Sequence, residues 1–171
     1  EIQLTEKWEI FVHQLFDKGY TVFITGSNAS LLSKELGTHL TGRNISMELF
    51  PFSFEEFLRC TNDEPSSNSL TNYLKIGGMP EYVKHQDRRI LARLLEDILI
   101  RDIAVRHKVR DIDTLKQLAV YLLSNVGKDV SANKLKGLFS VKSTTTIIEY
   151  FGHYSDSYLI EFLPQFSHSP K

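Results

Sequence analysis

The chain has 171 residues, 42% hydrophobic and 24% charged, the balance of an ordinary soluble globular protein of one domain or two small ones. A net charge of -1 excludes a chain built as a whole to hold a polyanion and leaves only local basic patches. Cys60 is the single cysteine, so no internal disulfide can form, and no apolar run reaches the 18 residues of a membrane span; a reducing, cytoplasmic setting follows as the expectation.

The sequence opens at Glu1-Ile2-Gln3 without a methionine or a signal peptide, and it is read as a piece of a longer protein. Residues 6 to 18 predict an amphipathic helix, with Trp8, Phe11, Val12, Leu15 and Phe16 in one apolar stripe and Gly19 as the C-terminal cap. Tyr20 to Thr25 is a short apolar run that suits a strand buried on both faces of an α/β sheet. Asn28 can cap a short helix through Leu36, closed by Gly37. Asn44 to Phe50 alternates Ile45, Met47 and Leu49 with Asn44, Ser46 and Glu48, the pattern of a half-buried or edge strand. Ser53, with Glu56 three residues later, is a capping box opening a helix through Leu58.

Thr61 to Asn68 is polar and carries a proline, a linker composition. Beyond it the pattern is helical. Leu70 to Ile76 is one helix, stopped by Gly77-Gly78, and Pro80 begins another. Asp87 to about Lys108 reads as one long helix with Ile90, Leu91, Leu94, Leu95, Ile98 and Leu99 on its apolar face. Thr114 to Leu123, Ala132 to Leu138 behind a Ser131 cap, and a helix from Ser143 or Thr144 to about Tyr154 follow, then the strand-like Tyr158 to Leu163. Three short helices and a strand give a winged-helix order.

Four places could carry chemistry. Thr25-Gly26-Ser27-Asn28 would sit at the carboxyl edge of a sheet, where ligands bind in open α/β folds, and Ser27 and Asn28 could orient a water against a phosphate. The same residues equally suit a capped turn with no ligand. Arg43 has the fixed fork of donors that reaches a phosphate from a neighbouring subunit, or is a surface arginine before a strand. Gly77-Gly78-Met79-Pro80 makes a tight turn, either a helix break or a base contact from a lid. Lys142, Ser143, Thr144 and Thr145 open the third helix and could meet DNA phosphates or base edges, or pack against a protein. The six histidines are scattered, with none at metal-ligand spacing, and no metal site is expected.

The order E-I-Q, F-I-T-G-S-N-A-S-L-L-S, L-T-G-R, M-E-L-F-P-F-S-F-E-E-F-L and G-G-M-P-E-Y-V resembles a family of prokaryotic AAA-type P-loop ATPases, close to the archaeal ATPases and the signal-transducing STAND class. The resemblance covers residues 1 to about 110, and the rest is similar to the winged-helix part that follows in that family. It implies that Glu1, at the end of a Walker B segment, polarises the attacking water; that Ser27 and Asn28 are the sensor at the next strand tip; and that Arg43 is the arginine finger. It likewise implies that Gly78 and Pro80 belong to a lid whose proline touches adenine.

No G-x-x-x-x-G-K-S/T occurs in these residues, so the phosphate cradle, its lysine and the magnesium hydroxyl are missing. The expectation is therefore an ATP- and Mg2+-dependent parent whose catalysis this chain alone does not perform. The implied fold is an α/β remnant of a P-loop parallel sheet over residues 1–60, a linker and helical lid over 61–110, and a winged-helix domain over 111–171, mostly α in total. The implied partners are the missing Walker A half or a neighbouring subunit, and DNA or a protein at the winged helix. A non-enzymatic winged-helix binding module is the alternative.

Overall fold

The computed structural model describes residues 7–26, 45 and 47–164. Cα proximity divides the chain into two compact units, Ser46–Asp97 and the pairing of Glu1–Ile45 with Ile98–Lys171.

The Ser46–Asp97 unit starts with a capped helix. Ser53 and Glu56 form both halves of the expected capping box: the Ser53 amide donates to the Glu56 carboxylate at 2.8 Å and the Glu56 amide to the Ser53 hydroxyl at 3.3 Å. They open helix α2 over Phe54–Thr61, which buries Phe57 and Leu58 and ends where Asn62 turns left-handed at φ 58°. Inside the expected linker a second, all-serine capping box forms between Ser66 and Ser69, and α3 runs over Ser67–Ile76. Pro80 supplies the preset φ for α4, Pro80–His85, and α5 spans Arg88–Asp97. Helix α2 packs on α3 and α4, and α4 packs on α5. At the centre the Tyr73 ring meets Phe57 edge-on at 5.3 Å and Phe54 at 5.5 Å.

In the other unit, α1 spans Trp8–Asp17 and buries Trp8 and Val12 against Val22 and Ile24. Gly19 ends it at φ 82°, as its cap position requires. Phe11 and Phe16, expected in the same buried stripe, are 59% and 46% exposed, so the buried face is narrower than the sequence pattern. A π-helical stretch occupies Ile98–Val105 and buries Leu99, Asp102, Ile103 and Ala104. The long helix expected from Asp87 to Lys108 is thus an α-helix followed by a wider turn type, which apolar spacing does not distinguish. Helices α6 (Ile112–Leu123), α7 (Ala132–Leu138) and α8 (Thr144–Asp156) follow, with α7 packed on α8 and α6 on the π-helical stretch. Leu115, Leu118, Ile147 and Tyr154 are fully buried there.

The α/β expectation is corrected. Among the described residues there is no strand: Tyr20 to Thr25, the described part of Asn44–Phe50, and Tyr158 to Leu163 all form none, while the mostly helical composition stands. A strand exists only as one side of a hydrogen-bonded ladder, so an apolar alternating run without a paired neighbour stays irregular. Consistent with that, Phe23 is 90% and Leu49 is 93% exposed. The winged-helix expectation keeps its three helices but loses the strand that would begin the wing. The helix expected from Asn28 to Leu36 lies outside the described residues. Among the described residues no helix is long and apolar enough to cross a membrane.

Candidate functional site

The best-defined geometry at an expected site residue is the turn between α3 and α4. Gly77 caps α3 with φ 78° and ψ -175°, a conformation that residues with a Cβ avoid, and its amide donates to the Tyr73 carbonyl at 2.7 Å. Gly78 then lies against the backbone of Phe52. The Phe52 amide donates to the Gly78 carbonyl at 2.7 Å, and the Tyr73 hydroxyl donates to the Phe52 carbonyl at 2.8 Å. A Cβ on Gly78 would meet the Phe52 oxygen at 2.2 Å, so only glycine allows this approach. Met79 supplies the extended N-cap and Pro80 the first turn of α4. The turn is therefore clasped to the segment leading into α2, and its shape is set by backbone contacts.

The remaining expected positions fall in two groups. Glu1, Ser27, Asn28 and Arg43 lie outside the described residues. At the start of α8, Ser143 is the N-cap and accepts from the Thr145 amide at 3.1 Å, while the Thr144 hydroxyl donates to the Asn133 side-chain oxygen at 2.9 Å. Both hydroxyls are thus engaged within the protein, leaving Lys142 and Thr145 as the exposed members of that set. Lys128 donates to the Asn125 side chain at 2.9 Å, and Lys136 is half-buried. Among the described residues no group of three or more His, Cys, Asp or Glu side chains could hold a metal ion.

The space a Cβ on Gly78 would take is filled by the Phe52 backbone, and the other residues expected to meet ATP and Mg2+, Glu1, Ser27, Asn28 and Arg43, lie outside the described ones.

Sequence reasoning missed one pair. His107 and His153 stack with ring centroids 3.8 Å apart and planes 19° from parallel. Burial, then the neighbouring His153 and Arg106, hold the His107 imidazole below its ordinary pKa against the pull of Asp156. Burial does the same to His153, with Asp156 and Glu149 opposing. The two are far apart in sequence, His107 in the turn after the π-helical stretch and His153 on α8, so no spacing rule could have joined them.

Residues 67–170 match the family model of a domain of unknown function, DUF8612, over more than half of the chain. The chain belongs to the DUF8612 family. The DUF8612 match holds α3 to α8, including the Gly77–Pro80 turn and the histidine pair. Residues 1–58 separately match an AAA domain, which relates that part to the AAA-type P-loop ATPases at a coarse level. An uncharacterized protein of Methanocaldococcus jannaschii is 36% identical over 190 residues, covering 100% of this chain and 43% of that protein. An uncharacterized protein of Haemophilus influenzae is 35% identical over 164 residues, covering 91% of this chain and 41% of that one. The chain thus spans less than half the length of the curated relatives it matches. No solved structure matches it.

Proposed function

We propose that this chain supplies the sensor, finger and lid portions of a larger, cytoplasmic AAA-type ATPase whose phosphate-binding loop lies in the length that the relatives carry beyond it. The observation that carries the reading is the AAA match over residues 1–58, because Glu1, Ser27, Asn28 and Arg43 all fall within it. Exposed side chains support it. Phe23, Ile45, Met47, Leu49 and Phe50 are all exposed and all lie in the AAA-matched residues, the condition of apolar groups that another part of a domain covers. In that larger protein Glu1 would polarise water, Ser27 and Asn28 would sense the phosphate, and Arg43 would act on a neighbouring subunit's nucleotide. Gly78 and Pro80 would form the lid's base contact, the Phe52 clasp giving the turn its shape.

The test compares ATP turnover by a protein of the relatives' length with that of its Arg43→Ala and Glu1→Gln forms. Arg43→Ala should lose roughly 10³-fold or more in rate. Glu1→Gln should keep nucleotide binding and lose turnover. Undiminished hydrolysis in both, or hydrolysis by the 171-residue chain alone, would overturn the reading.

A second reading, a DNA- or protein-binding module built on α6 to α8, draws on the exposed Lys142 and Thr145. Mobility shift at two salt concentrations tests its DNA form, since phosphate-driven binding falls steeply with salt.

A further inference from the structure

The stacked imidazoles join two elements at a sensitive place. His107 lies two residues beyond the π-helical stretch Ile98–Val105, and its amide donates to the Ile103 carbonyl at 2.9 Å. The Val109 amide closes the end of the stretch on the Ala104 carbonyl, also at 2.9 Å. His153 lies on α8. The ring pair is thus a side-chain bridge from the end of the π-helical stretch to α8. Runs of π-helix are rare and usually a single turn, so one of 8 residues depends on what packs around it. Leu99, Asp102, Ile103 and Ala104 are its buried face, and the histidine pair fastens its end.

Arg106 bears on His107, Asp156 bears on both rings, and Glu149 bears on His153. The Tyr150 ring lies 6.4 Å from that of His153. At the N-cap of α6, Asp111 bears on the Tyr150 hydroxyl.

We propose that His107 and His153 form a proton-operated latch: neutral, their stacked rings hold the end of the π-helical stretch to α8, and protonation of the pair parts them. Two positively charged rings with centroids 3.8 Å apart repel, so the stack tolerates at most one proton. Both imidazoles are held below the ordinary histidine value, so the open form binds protons more readily than the closed one. The latch is therefore fully closed above the ordinary value of about 6.5 and weakens as pH falls through it, down to the lowered value of the closed pair. Because the rings interact, the protons enter in steps that belong to the pair.

Amide hydrogen exchange on the 171-residue chain, corrected for the intrinsic exchange rate, tests this between about pH 8 and about pH 5. Protection of the His107 and Val109 amides should fall by up to about tenfold per pH unit for each extra proton taken up on opening, while circular dichroism shows the helices intact. His107→Phe/His153→Phe keeps two rings and removes the protons, and should flatten the dependence. Should that variant not fold, imidazole proton resonances of the unaltered chain decide: two coupled steps below the ordinary value support the latch. Protection that does not change with pH, a dependence that survives in the folded double variant, or two independent titrations at the ordinary value would overturn it.

Discussion

The Tyr154 hydroxyl donates to the Leu115 carbonyl at 2.6 Å, and both residues are fully buried. This bond ties α8 to α6 across a stretch of chain that includes the whole of α7. Tyr150, one helical turn earlier, reaches the Asp111 carbonyl at a longer 3.4 Å. Two tyrosines of one helix face thus fasten on the amino-terminal half of α6. Tyr154→Phe keeps the ring and removes the bond, and should cost about 0.5–1.5 kcal/mol in urea denaturation. Tyr150→Phe should cost less, since its bond is longer and its ring less buried.

The same hydroxyl gives an alkaline signature. Burial, with a smaller contribution from Tyr150, pushes its pKa far above the ordinary tyrosine range. A raised folded value stabilises the fold fully below the unfolded value of about 10, and that contribution is lost as pH climbs above it. In an ultraviolet phenolate titration Tyr154 should ionise only as the chain unfolds. Tyr154→Phe should make the alkaline loss of stability shallower.

Gly77 and Gly78 should both resist alanine, for different reasons. At Gly77 a methyl meets nothing within 4 Å, but φ 78° with ψ -175° lies in a region that glycine alone occupies, which costs about 1–3 kcal/mol. At Gly78 a methyl would stand 2.2 Å from the Phe52 carbonyl oxygen, and overpacking of that kind costs about 1–3 kcal/mol. The readouts differ. Gly78→Ala should also weaken hydrogen-exchange protection at the Phe52 amide, whereas Gly77→Ala should leave the Phe52 contact in place.

The capping box makes the start of α2 acid-sensitive. The Ser53 amide and then its hydroxyl hold the Glu56 carboxyl below its ordinary pKa, with Arg59 adding to the effect. A depressed carboxyl stabilises the fold above its unfolded value of about 4.3 and loses that contribution as pH falls through the folded value. Glu56→Gln should therefore reduce the acid dependence of the urea midpoint, and Ser53→Ala should lower the midpoint at neutral pH.

Local signals in the sequence were legible where the chain itself supplies every partner. Ser53 and Glu56 satisfy each other within one turn, and Gly19 takes the positive φ that its position demands; α7 has the expected limits, although the Ser131 side chain makes no capping bond. The strands expected at Tyr20–Thr25 and Tyr158–Leu163 were not legible in this way, because alternation reports a tendency to be buried and says nothing of the segment that must pair. The π-helical stretch and the His107–His153 stack were hidden for a related reason. Wider turns share the apolar spacing of α-helix, and a stack between distant residues depends on packing alone. Of the candidate site, Gly78 was legible as a turn glycine, but the Phe52 backbone that requires it was not.

The clasp between Phe52 and Gly78 also bears on how this chain can be divided. The AAA match stops at residue 58 and the DUF8612 match starts at residue 67, which invites a cut in the loop between them. Yet Phe52 and Phe57, on the AAA side, hold Gly78 and Tyr73 on the other, inside one packed unit. Severing that loop would split a core and strand the turn without its backing. The compact unit begins at Ser46, so the structural joint lies upstream of the point where the family matches divide.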